Sequence, residues 1–203
     1  SQYGNALAGI FDIRLRNGNS EKREHSFSIG ALGMEVTTEG PLHKESRASY
    51  LINYRYSTLA LLDALNLVEF GGVPKYQDLS FKLILPTSKL GTFTFFGLGG
   101  KSEINSDFSD ESRPDLVLES FEQQSQIGVI GLKHTIGLDA NSYINTTLSL
   151  SQNGSKIGAQ RLYNAEVMRE SYRLVNNNLV SRINSTYNYK LNAQHQLQGG
   201  VVL

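Results

Sequence analysis

The strongest constraint on this chain is a two-residue alternation that begins at Ser49. Tyr50, Ile52, Tyr54 and Tyr56 fill one set of positions; Ser49, Asn53, Arg55 and Ser57 fill the other, with Leu51 as an apolar exception. Successive strand side chains point to opposite faces, so the stretch predicts a strand with one aromatic, apolar face and one polar face. A Gly40-Pro41 turn leads into it. The same alternation recurs over Ile10 to Arg16, Ser26 to Ala31, Met34 to Thr38, Asp78 to Pro86, Gly91 to Gly100, Ile127 to Gly137, Tyr143 to Ser151, Leu179 to Leu191 and from Gln196 onward. One exception to an all-β reading is Thr58 to Gln77, where the spacing of Leu59, Leu62 and Leu65 predicts a short helix.

Alternation does not distinguish a sheet lying on a protein core from one lying against lipid. The connections carry that information. Thr58 to Gln77, Lys101 to Gln126 and Gln152 to Asn177 are long and read as loops, whereas the segments around Gly40-Pro41, Thr87 to Leu90, Leu138 to Ser142 and Asn192 to Gln194 are short. After the first hairpin, long and short alternate. In an up-and-down antiparallel sheet every second connection lies at the same end, so one rim carries turns and the other loops, as in outer-membrane barrels. Greek-key sandwiches have no physical reason to sort loop length this way. Tyr54 and Tyr56 at the long-connection end, with Tyr187 and Tyr189 at the other, suit two interfacial girdles. The expected fold is therefore all-β: part of an antiparallel up-and-down transmembrane β-barrel, to which this chain supplies roughly nine strands.

Composition narrows the partners. Lys plus Arg and Asp plus Glu are equal at 19 each, which gives no electrostatic case for nucleic acid. The absence of Cys excludes disulfides, thiolate metal sites and a cysteine nucleophile. No run approaches the roughly 20 apolar residues of a spanning helix. The opening SQYGNALAG has neither a basic nor an apolar signal region, and GGVVL closes the chain in mid-strand by pattern. A piece of a longer protein is expected.

Three stretches, NALAGIFDIRLRNGN (Asn5 to Asn19), EGPL (Glu39 to Leu42) and ASYLINYRYS (Ala48 to Ser57), resemble the plug-to-barrel junction of TonB-dependent outer-membrane receptors of Gram-negative bacteria. The resemblance implies that residues 1–19 are the C-terminal end of a plug and 20–203 the N-terminal part of a barrel in the bacterial outer membrane. It further implies import of a bulky small-molecule or oligosaccharide ligand (siderophore, glycan or cofactor), energised by the TonB protein, with an accessory surface lipoprotein as a further partner. The TonB box, most of the plug and the later strands lie outside this sequence, so transport is an expectation for the parent protein.

Within that frame, Arg14 and Arg16 would enter a barrel lumen and need carboxylate or solvent partners, and Glu35 and Glu39 are the expected acids. Asn53, Arg55, Lys82, Lys133, Arg182 and Asn188 fall on the polar side of their strands, together with Lys190. They are expected either to line a path for an anionic or sugar-like solute or simply to hydrate the wall and contact the plug.

Catalysis, a cofactor and a metal are not expected. Gly97-Leu98-Gly99-Gly100 has no helix pattern behind it, the acidic stretch Asn105 to Asp115 lacks EF-hand spacing, and His25, His43, His134 and His195 are scattered. No nucleophile elbow is present. Two other readings stand beside the importer: a soluble β-sandwich that binds carbohydrate or acts as an adhesin, and a structural or assembly barrel without transport.

Overall fold

The computed structural model describes residues 12–30, 33–43, 47–65, 72, 74–164 and 166–203. Its strands are β1 (Glu24–Ile29), β2 (Gly33–Pro41), β3 (Ser49–Ser57), β4 (Lys75–Pro86), β5 (Thr92–Asp110), β6 (Arg113–Gly137), β7 (Ser142–Tyr163), β8 (Val167–Lys190) and β9 (Gln196–Val202), with one helix, α1 (Thr58–Ala64), between β3 and β4. All nine strands form a single antiparallel sheet in the order β1-β2-β3-β4-β5-β6-β7-β8-β9. The sheet is open, with β1 and β9 at its edges.

The pattern read at Tyr50 to Tyr56 extends across the sheet because residues opposite one another in a ladder share a face. Ile52, Phe81, Gly97, Ile130 and Leu150 form one cross-strand row, and Leu83, Phe95, Leu132, Leu148 and Ile183 the next. The other face carries the row Leu51, Lys82, Phe96, Gly131, Ser149 and Arg182. The apolar face is not packed: Tyr54 is 40% exposed and Ile183 47%. Among the described residues the buried hydrophobic side chains are Ala48 and Leu51, so the sheet does not fold over a conventional core.

Three sequence expectations need correction. The stretches Lys101 to Gln126 and Gln152 to Asn177 are not loops. They are the continuing arms of the β5–β6 and β7–β8 hairpins, laddered from Thr92↔Thr135 to Asp110↔Arg113 and from Ser142↔Tyr189 to Tyr163↔Val167. Because these arms have polar side chains on both faces, they lack the hydrophobic alternation that marks a strand lying against a core or lipid. The expected acidic loop at Asn105 to Asp115 is therefore mostly strand, and among the described residues no cluster of His, Asp or Glu is arranged to hold a metal. The third correction concerns Ile10 to Arg16. Residues 12–16 carry no strand, and Ile10 and Phe11 lie outside the described residues, as does Ala31 of the expected Ser26 to Ala31 strand.

The helix expected from the leucine spacing is present as α1. It is fixed at its start by two buried hydroxyls: Ser57 Oγ donates to the Pro74 carbonyl at 3.0 Å, and Thr58 Oγ1 to the Gly30 carbonyl at 2.9 Å. These bonds tie the β3–β4 connection to the tip of the β1–β2 hairpin at the same end of the sheet as the long hairpins.

Candidate functional site

Register places Asn53, Arg55, Lys82, Lys133, Arg182 and Asn188 on one face of the sheet, together with Glu35 and Glu39. It does not gather them into one pocket. They divide into a region against the N-terminal segment, a region near the long-hairpin end and a basic region between them and the short turns.

The first region is built by residues 12–19, which lie against the polar face of β2, β3 and β4. Arg16 Nη1 donates to Glu39 Oε2 at 2.7 Å and Arg16 Nη2 to Glu39 Oε1 at 2.6 Å. The Asn19 amide adds a third bond to Glu39 at 2.8 Å, and Lys82 Nζ donates to the Leu15 carbonyl at 2.7 Å. Hydrogen bonding to Glu39 stabilises the charged Arg16 and raises its pKa above the usual guanidinium value. Gly18 rests on the Tyr50 and Leu51 backbone so closely that a Cβ there would collide with it. Leu51, the apolar exception on the polar face, lies at this contact and is only 7% exposed. Arg14 does not meet Glu35. It pairs locally with Asp12 at 2.6 Å, while Glu35 accepts from Asn53 Nδ2, also at 2.6 Å.

In the second region Arg55 Nε donates to Asp78 Oδ2 at 2.8 Å, and the guanidinium lies 5.5 Å from the Tyr76 ring centre. These three border a cavity of about 460 Å³ whose remaining wall includes Ser102, Ser125, Asn153 and Ser155. Leu98 and Ile127 also line it, so its surface is mostly apolar, with an aromatic face and one neutralised ion pair.

The third region is basic. Lys82 and Arg182 share a row, and Lys133 lies in the row beside it. Among the described residues neither Lys133 nor Arg182 forms an ion pair. Asn188, farther toward the short turns, is 3% exposed, and its Nδ2 has no partner among the described residues.

The opposite face ends in aromatic side chains. Tyr54 and Tyr56 stand toward the long hairpins, with Tyr54 Oη donating to Gln77 Oε1 at 2.8 Å. Tyr50, Phe93, Tyr187 and Tyr189 stand toward the short turns; Phe93 stacks on His134 at 4.4 Å. No protein-family model, curated protein or solved structure matches the chain.

Proposed function

We propose that this sheet is a section of the wall of an outer-membrane, energy-coupled receptor of the TonB-dependent kind, which imports a bulky nutrient such as a siderophore, glycan or cofactor. The observation that carries the reading is the exposed apolar face of a nine-stranded meander whose other face is polar and overlain by residues 12–19. Burying such a face is worth about 25 cal/mol per Å² of apolar surface, so water is an unfavourable neighbour for it. Its extent suits a bilayer. From Gly128 to Ile136 the apolar positions of β6 run about 27 Å along the strand at roughly 3.4 Å per residue, or about 20 Å in height at a barrel tilt near 40°. Outer-membrane barrels carry an apolar band about 25 Å tall.

On this reading the short turns face the periplasm, the long hairpins project outward, and residues 12–19 are the end of a plug held to the inner wall. The sandwich reading needs a second sheet over Tyr54, Phe81 and Ile183, and the described residues form one sheet. Fractionation of cells expressing the parent protein tests the proposal. It should sediment with outer membranes, resist alkaline extraction and require detergent, and uptake of its nutrient should stop when the energy-coupling protein is deleted. A parent protein that stays monodisperse without detergent overturns the membrane reading; one that is membrane-embedded without any coupled uptake favours the structural barrel.

A further inference from the structure

Two adjoining cavities lie on the apolar face at its boundary with the long hairpins, and they share part of their wall. The upper one, about 530 Å³, has a polar wall that includes Lys75, Lys101, Lys156 and Gln124. The lower one, about 310 Å³, is bordered by Tyr54, Leu79, Gly99 and Gly128. Gln77, Lys101 and Gln126 belong to both. The register explains the shape: Gly99 and Gly128 are opposite one another on β5 and β6, so the apolar face has a notch where two side chains are missing. A Cβ on Gly128 would meet nothing within 4 Å.

The charges are graded along this groove. Lys101 stands between two amides, Gln77 on β4 and Gln126 on β6, at the edge of the apolar band. Two carboxylates lie farther out. Glu103 is opposite Lys75 and Gln124, and Glu122 binds Lys156 at 2.8 Å. A positive charge thus borders the apolar slot; of the acids that line the two cavities, Glu103 stands in the outer wall beside Lys75 and Asp78 is paired with Arg55 on the other face.

We propose that this groove binds a phosphate-bearing, acylated membrane lipid, with its phosphate at Lys101 and the neighbouring amides and an acyl chain in the Gly99–Gly128 notch. The inference rests on the membrane reading above. A cation near an anionic lipid surface contributes on the order of 1 kcal/mol, and each buried methylene of a chain about 0.8 kcal/mol, so both halves of the groove add to retention. A zwitterionic lipid lacks the net charge, and a free phosphate lacks the chain.

The test uses the detergent-purified parent protein, incubated with micelles doped with an anionic phospholipid, with phosphatidylcholine, or with soluble glycerol phosphate. Retained lipid is counted by native mass spectrometry. The wild type should retain the anionic phospholipid in preference to the other two. Lys101→Glu should reduce that retention about tenfold, and Lys101→Gln less. Gly128→Phe, which fills open space, should reduce it while leaving the thermal transition unchanged. Equal retention by the wild type and all three variants overturns the inference, as does glycerol phosphate bound as well as the lipid. A wild-type protein that needs no detergent instead defeats the membrane reading itself, so the two failures are separable.

Discussion

Arg16 grips Glu39 with both prongs of its guanidinium, across an interval of twenty-three positions in which the chain turns from residues 12–19 into the sheet and back along β2. The Asn19 amide uses the same carboxylate. One acidic side chain on the wall thus holds two points of the overlying segment.

Arg16→Ala should release that segment. The paired arginine is more than half exposed, so the effect is modest, about 1 kcal/mol, or roughly a fivefold rise in opening. Amide exchange at Asn19 reports it directly, and Arg16→Lys, which keeps a cation beside an intact Glu39, should retain part of the protection. Unchanged exchange at Asn19 in Arg16→Ala would show that the ion pair does not hold the segment.

Neighbouring residues on β7 test the two faces. Leu148 lies on the apolar face and Ser149 on the polar one. Leu148→Arg should lower folding stability in bilayers by about 2–4 kcal/mol, whereas Ser149→Arg should change it by less than about 1 kcal/mol. Urea unfolding of the parent protein in vesicles measures both. Equal penalties would mean that lipid does not cover the face carrying Leu148.

Gly91 closes the β4–β5 turn with φ of +78° and lies against the backbone of Thr135 and Ile136. An L side chain there is both strained and obstructed, so Gly91→Ala should cost about 1–3 kcal/mol. Gly137→Ala, whose Cβ would meet nothing within 4 Å, serves as the contrast and should be close to neutral. Denaturant midpoints that fall together for both variants would contradict this account of the turn.

Asp139, in the β6–β7 turn, gives a dependence on pH. Ser142 Oγ donates to it at 2.6 Å and the Asn141 amide at 2.7 Å, and these bonds, the hydroxyl first, hold its carboxyl below the usual range. A group whose folded pKa is depressed adds stability that is present above its unfolded value, near 4, and is lost as pH falls through the folded value. The stability gap between wild type and Asp139→Ala should therefore be present at pH 6 and shrink below about pH 4. A gap independent of pH across that window would exclude the carboxylate as its source.

Sequence and structure agree where one face of a strand is apolar and the other polar. Tyr50 to Tyr56, Leu79 to Leu85 and Ile183 to Tyr187 show their strands and faces directly, because partition writes a period of two into the residues. Where both faces are polar the signal disappears. Gln123 to Gln126 and Asn176 to Asn178 look like loop, yet ladder bonds and pairs such as Glu122 with Lys156 keep them extended. The reverse holds at Asp12 to Arg16, where a polar-apolar alternation exists without a ladder and side chains attach the segment instead. Charge counting offers Glu35 and Glu39 jointly to Arg14 and Arg16, and in the structure Arg16 takes Glu39. The count failed for Arg14 because Asp12 was nearer in the chain and Asn53 occupied Glu35. The groove around Lys101 was illegible, since it depends on which glycine stands opposite which, a matter of register that periodicity does not reveal.

The two projecting hairpins have a consequence for how such a chain can change over generations. A lone inserted or deleted residue in a continuous ladder turns every side chain beyond it to the other side, moving Lys156 or Gln124 off the groove. The ladder slips at Phe108 to Asp110 and at Ala159/Gln160, both close to the hairpin tips. Odd changes in length should be absorbed beyond those slips, so the outermost tips are free to diversify while the charged rim beneath them keeps its orientation.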